Sequence, residues 1–322
     1  MIRFMKYKLI YLIISSLVIV PGFISLVVFG LRPSVDFTGG SVLGLRPTPG
    51  VTADQNPGSL REASVSASVP PTQMAEYVSA VRALFDKEKT AYEGVKAENS
   101  QIIIRMKEIN ESRKNELVSL ISKEVVPVAE SKFETLGPVL GRELLTKTII
   151  GVILASLLIS FYIVYQFKDR LFGICALLAT VHDSLVILGT FSLLGYFLGV
   201  EVDTLFVTAV LTVLSFSVHD TIVVYDRIRE KIRLSGAKFE SLSISDLERV
   251  VDCATSETMV RSLNNSLTVI FMLTALFVLG GESVRWFSLA LLIGTISGSY
   301  SSPFVAGPLL IVFKSLQDRT KR

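Results

Sequence analysis

A polytopic α-helical membrane protein carrying one external α+β domain is the fold class this sequence predicts, and three observations predict it. Half of the 322 residues are hydrophobic and only 19% are charged. The apolar residues fall into six blocks, each matching the about 20 residues a helix needs to cross a bilayer. One polar stretch of domain size separates the first block from the other five. This distribution excludes an ordinary soluble fold. The net charge of +3 gives no sign of a nucleic-acid partner.

The first span follows a short basic terminus, residues 1–8, and runs from Leu9 to Leu31. Its apolar core exceeds the roughly 7 to 15 residues of a secretory signal, and Arg32-Pro33 follow without a small-residue cleavage pattern. It therefore reads as an uncleaved span, kinked at Pro21. Further spans are expected at 148–167, 171–198, 205–225, 259–281 and 286–313, with a polar loop at 226–258 and a polar tail at 314–322. Lysine and arginine set the orientation. Placing the amino terminus inside also puts Lys168, Arg170, Arg227, Arg229, Lys314 and Arg322 inside, while the opposite short loops hold Arg285 beside Glu201, Asp203 and Glu282. Both termini are then cytoplasmic, and residues 32–147 lie outside.

That external segment reads as βαββαβ. A strand is expected at Ser41–Arg46, followed by a Pro/Gly/Ser-punctuated loop through Ser68. A helix over Thr72–Lys87 places Met74, Val78, Val81 and Phe85 on one face. Strands at Ala91–Ala97 and Gln101–Lys107, a helix at Asn110–Lys123 and a strand at Ala129–Leu136 complete the order. A ferredoxin-like four-stranded sheet with both helices on one face is the natural solution.

The chemistry lies in the spans. Both histidines, His182 and His219, directly precede an aspartate, Asp183 and Asp220. A carboxylate in hydrocarbon costs at least about 2.5 to 3.5 kcal/mol, so it faces a bundle interior and serves a purpose there. Two such sites suggest a proton path. Thr208, Thr212, Ser215 and His219 recur at helical steps on the fourth span and either form a hydrated stripe or bond back to their own helix. The sequence lacks a Walker loop, an HExxH helix and a Gly-x-Ser-x-Gly elbow. Cys175 and Cys253 provide neither a disulfide framework nor a zinc cluster. Work must then be driven by an ion gradient, with the proton as coupling ion and no cofactor.

The motif Val35-Asp36-Phe37-Thr38-Gly39-Gly40 just beyond the first span resembles the signature of the SecD/SecF family, in the resistance-nodulation-division superfamily. The resemblance continues through Leu136-Gly137-Pro138-Val139-Leu140-Gly141, the His182-Asp183 pair and His219-Asp220-Thr221-Ile222-Val223-Val224-Tyr225-Asp226-Arg227, and covers nearly the whole chain. It departs at Ser215–His219, where many relatives carry a Gly-Tyr-Ser stretch and an asparagine. The resemblance implies one half of a twelve-span bundle in the bacterial cytoplasmic membrane. It further implies a non-enzymatic, proton-driven subunit that promotes export of unfolded preproteins with a SecD-like six-span partner, the SecYEG channel and YajC. It makes Asp220 the proton carrier with Arg261 as its charge partner.

Other features have structural readings. Asp36, Gly39 and Gly40 shape a turn, and Asp226 and Arg227 anchor the cytoplasmic boundary. Gly294 and Gly298 form a small-xxx-small packing step, and Asn264 and Asn265 either line the path or bond between helices. His182 and Asp183 either form a relay or lock neighbouring helices. Two rival functions are a proton-coupled exporter of lipids or small molecules and a metalloenzyme built on the two His-Asp pairs. Adjacent helical residues point about 100° apart, which works against convergence of all four on one ion.

Overall fold

The computed structural model describes residues 4–48, 69–98, 100–167 and 169–320. The expected loop through Ser68 and the basic residues Arg3, Lys168, Lys321 and Arg322 fall wholly or largely outside these. The chain divides into two compact units, residues 33–147 and the remainder.

The first unit begins with a one-turn helix, α2 (Val35–Thr38), following α1 (Lys8–Val28) in the chain. Its elements are β1 (Gly40–Pro47), α3 (Pro71–Lys87), β2 (Gly94–Glu98), β3 (Gln101–Met106), α4 (Glu111–Glu124) and β4 (Val128–Leu136). Proline opens α3, where its missing N–H costs nothing. The Asn110 side chain caps α4 by accepting the Arg113 N–H at 2.9 Å. The strands form one antiparallel sheet in the order β2-β3-β1-β4, with a register shift between Gly44 and Leu45. Both helices cover the same face. Met74, Val78, Val81 and Phe85 are buried with Leu117 and Ile121 over Leu43, Leu45, Ile102 and Ile104, each large side chain contributing about 1.5–3 kcal/mol.

The paired glycines connect α2 to β1. Gly39 has φ +73° and Gly40 φ +121°, a region that side chains rarely enter. Space is also short: a Cβ on Gly39 would lie 2.6 Å from the Pro138 Cα, and one on Gly141 would lie 2.8 Å from the Gly39 nitrogen. The two motifs at either end of this domain therefore pack backbone against backbone. Ser34 caps the turn by accepting the Asp36 N–H at 3.2 Å.

In the second unit six helices are long and apolar enough to cross a membrane. They are α1, α5 (Pro138–Gln166), α6 (Arg170–Leu198), α7 (Thr204–Leu234), α8 (Ile244–Leu279) and a last span made of α9 (Glu282–Ser301), a π-helical turn (Ser302–Ala306) and α10 (Gly307–Thr320). Helix α1 continues through Pro21. The 226–258 loop expected from the sequence is instead helical at both ends, leaving a connection of residues 235–243. Its polarity concealed helix signals. Ser243 caps the helix by accepting the Asp246 N–H and its hydroxyl also donates to the Asp246 carboxylate, and Arg227–Glu230 and Asp226–Arg229 pair one turn apart.

Two apolar clusters build the bundle. One joins Phe172, Cys175, Ala179, Tyr225, Ile228, Val251 and Leu310; the other joins Ile187, Phe191, Phe206, Val210, Val213 and Ala290. Along α6, α7 and the last span these clusters lie on either side of residues 183, 217, 297 and 301. The Tyr225 hydroxyl donates to the Ala306 carbonyl at 2.9 Å, and Thr221 and Ser302 share a hydrogen bond at 3.1 Å, so α7 satisfies the irregular turn around Pro303.

Replacing Gly39 with alanine adds a side chain to a positive-φ position already in backbone contact. We expect a loss of about 1–3 kcal/mol, measured as a lower denaturation midpoint of the full chain in detergent; Gly151→Ala, in a helix interior where a Cβ meets open space, should not lower the midpoint.

Candidate functional site

Asp183 is 1% exposed and is held from three helices. Its Oδ1 accepts a hydrogen bond from Ser297 Oγ at 2.6 Å and lies 3.0 Å from His182 Nδ1. Its Oδ2 accepts from Ser217 and Ser301, each at 2.6 Å. The three serine hydroxyls fill three of the roughly four acceptor positions of a carboxylate, and the fourth, on Oδ1, is the one that shares a proton with His182 Nδ1. Ser297 and Ser301 sit four residues apart on α9, hence on one face. Gly298 lets that face approach: a Cβ there would lie 3.6 Å from the Ser217 Cα and 3.8 Å from Asp183 Oδ2. Gly294, one turn earlier, packs directly against Val213.

Asp220 has a looser setting. It is half-buried on α7 and accepts one hydrogen bond, from Ser262 of α8 at 3.3 Å. It borders a cavity of about 330 Å³ together with Ser215, His219, Asn265 and Ser299. Ser217 also lines this cavity. Its hydroxyl is committed to Asp183, so one serine separates the cavity from the buried acid.

The other expected residues are distributed differently. Arg261 does not line the Asp220 cavity; it borders a second depression of about 450 Å³ with Asp226, Arg227, Glu230 and Glu257. Successive helical residues diverge by about 100°, and Ser262 rather than Arg261 is the one turned toward Asp220. Arg227 donates to Glu230 and Glu257, and Lys231 also bonds Glu257, so this group ties α7 to α8. Thr208 and Thr212 bond back to the carbonyls of Thr204 and Thr208, which leaves Ser215 and His219 as the cavity-lining part of the expected stripe. Asn265 lines the cavity, while Asn264 is exposed outside it. Asp36, Gly39 and Gly40 belong to the unit of residues 33–147 and shape its first turn. Among the described residues no three His, Cys, Asp or Glu side chains gather to hold a metal ion.

Sequence reasoning missed Ser297 and Ser301. Their signal was available in the run Ser297-Gly298-Ser299-Tyr300-Ser301-Ser302, where hydroxyls at a four-residue step interrupt an apolar span.

Comparison with known proteins decides the family. A model described as protein export membrane protein SecD/SecF, C-terminal, matches residues 118–316, and the SecD/SecF GG motif matches residues 24–51. The chain belongs to the SecD/SecF family. A protein translocase subunit SecF of Thermobaculum terrenum is 38% identical over 98% of this chain and 95% of its own length. The SecDF of Thermus thermophilus is 30% identical over 89% of this chain and 35% of its own. A SecDF crystal structure from Thermus shares the fold with a TM-score of 0.76 at 27% identity, covering 98% of this chain and 39% of that one. The family's GG motif coincides with the positive-φ turn at Gly39-Gly40, and its C-terminal region contains both carboxylates.

Asp183→Asn places an amide N–H₂ against hydroxyls already donating to the acid. Leaving such a buried group mismatched costs about 1–3 kcal/mol. We therefore expect a larger drop in the thermal midpoint of the full chain for Asp183→Asn than for Asp220→Asn, whose single long contact sits beside a cavity. Equal drops would contradict the unequal settings described above.

Proposed function

We propose that this chain is a protein translocase subunit that uses the proton-motive force through Asp220 and Asp183. Two supports stand behind the translocase assignment: the family membership, and a full-length similarity to subunits named for that activity. One geometric observation carries the proton reading. Ser217 lines the cavity of Asp220 and donates to Asp183, so a single residue stands between the cavity beside one intramembrane acid and the other acid.

Asp220 exchanges protons with the cavity, because water there reaches a carboxylate with one protein partner. Asp183 is the fixed end of the path. Loss or gain of charge at Asp220 alters what the α7–α8 interface must satisfy, and two packings of that interface convert protonation into helix movement. One elementary charge crossing about 100 mV releases about 2.3 kcal/mol, and the coupling proton is the sole accessory the reading requires.

The architecture supports the wider assembly. The strand order β2-β3-β1-β4 with both helices on one face fits a ferredoxin-like external domain. The six spans fit half of a resistance-nodulation-division bundle. The matched region is 35% of a chain named SecDF, so the complement is a SecD-like subunit. SecYEG, YajC and unfolded preproteins are the remaining proposed partners, with lipid around the outer helices. The lysine and arginine bias supports a cytoplasmic position for both termini in a bacterial cell. The role is mechanical coupling without enzymatic chemistry.

With partner subunits reconstituted in vesicles, Asp220→Asn should abolish the gradient-dependent stimulation of preprotein export while copurification with the partner persists. Full stimulation by that variant would sink the proton-carrier role.

A further inference from the structure

Helix α1 has three buried residues, Ser15, Gly22 and Ser25, all on one stripe. The stripe keeps a constant register against α6. Ser25 and Ser192 share a hydrogen bond at 2.8 Å, 167 positions apart. Gly22 meets Gly189, where a Cβ on Gly22 would lie 3.1 Å from the Gly189 Cα, and Phe29 stacks on Tyr196 with ring centroids 4.0 Å apart. Both pairs have the same offset. Carried two turns toward the amino terminus, that register sets Ser15 level with His182.

Ser15 and His182 are each 7% exposed. Ser15 Oγ and His182 Nε2 are buried atoms without a hydrogen-bond partner among the described residues. Leaving each unsatisfied in a nonpolar interior forfeits the hydrogen bonds both would make in water. Two such atoms at one level of one helix interface point to a shared ligand. Tyr300 of α9 approaches the Ser15 side chain, but its hydroxyl donates to the Tyr11 carbonyl at 2.9 Å and forms no well-aligned hydrogen bond with Ser15 Oγ, so it adds a third polar group at this level. A hydroxyl, an imidazole nitrogen and a phenol suit a water molecule, which takes two to four such partners; a bare cation would call for a carboxylate.

We propose that Ser15 and His182 hold a water molecule between α1 and α6, and that this water makes His182 the outlet of the Asp183 cluster. The outlet role rests on the reading of Asp183 as part of the proton path. A proton passing from the Asp183 carboxyl to Nδ1 is matched by one leaving Nε2 to the water. The water hands one of its own protons to a further water, the ring ends in its other tautomer, and rotation of the ring about Cβ–Cγ, which returns an N–H to the water side, resets it without returning the proton. Ser15 is a positioning residue that keeps the water on Nε2.

The chain has only two histidines, which makes the site accessible to ¹⁵N-histidine solid-state NMR on the full chain in lipid nanodiscs, with His219→Gln used for assignment. Magnetisation transfer from water to His182 Nε2 is expected in this background. It should persist in Ser15→Thr and fall several-fold in Ser15→Val, with a shift of the Nε2 resonance. Equal transfer in the threonine and valine variants, or none in the parent, overturns the site. Should Ser15→Val fail to fold, Ser15→Ala supplies the same comparison. Export in vesicles separates the two layers: lost transfer with fully retained gradient stimulation overturns the outlet role and leaves the water site standing.

Discussion

A carboxylate inside a lipid bilayer finds no solvent to bond with, so its partners must come from the protein and must be fixed in place. Asp183 meets this constraint by drawing hydroxyls from α7 and α9 onto α6, and the arrangement of those helices depends on it. The polar layer is thin. Apolar clusters centred on Phe172 and Tyr225 on one side and on Phe191 and Val213 on the other enclose it. Hydrophobic packing alone gives little preference among helix registers in lipid, because tails are as apolar as leucine. Three hydroxyls that must meet one acid set the register instead.

The two intramembrane acids have opposite settings, and the difference suits a relay. Asp183 is saturated with short contacts. Asp220 has one contact at 3.3 Å and a cavity beside it. A group that must gain and lose a proton benefits from access and from few competing bonds, whereas a group that defines geometry benefits from saturation. The charged group Arg227, Lys231 and Glu257 ties α7 to α8, so movement at Asp220 is constrained at that contact.

Backbone geometry governs the α+β unit as hydroxyls govern the spans. Gly39 and Gly40 adopt positive φ, and Gly141 approaches Gly39 closely enough that a side chain on either would collide with main chain. These glycines bring together the segment entering the domain and the segment leaving it. Their side-chain-free contact explains why two short motifs, about a hundred residues apart in sequence, are both glycine-rich.

The sequence by itself determined the spans, the βαββαβ order and the membrane-embedded acids, because hydropathy blocks, helical spacing and turn residues are local properties of the chain. Met74, Val78, Val81 and Phe85 could be assigned to one buried face from spacing alone, and His-Asp pairs in apolar runs stood out by their cost. Only the tertiary structure decided which acid is buried most completely, since Ser217, Ser297 and Ser301 reach Asp183 from distant positions. It likewise separated Arg261 from Asp220: which of two neighbouring residues on α8 faces an acid on α7 depends on the rotation of one helix about its axis. Rotation and register are fixed by packing across the bundle, and no single helix encodes them.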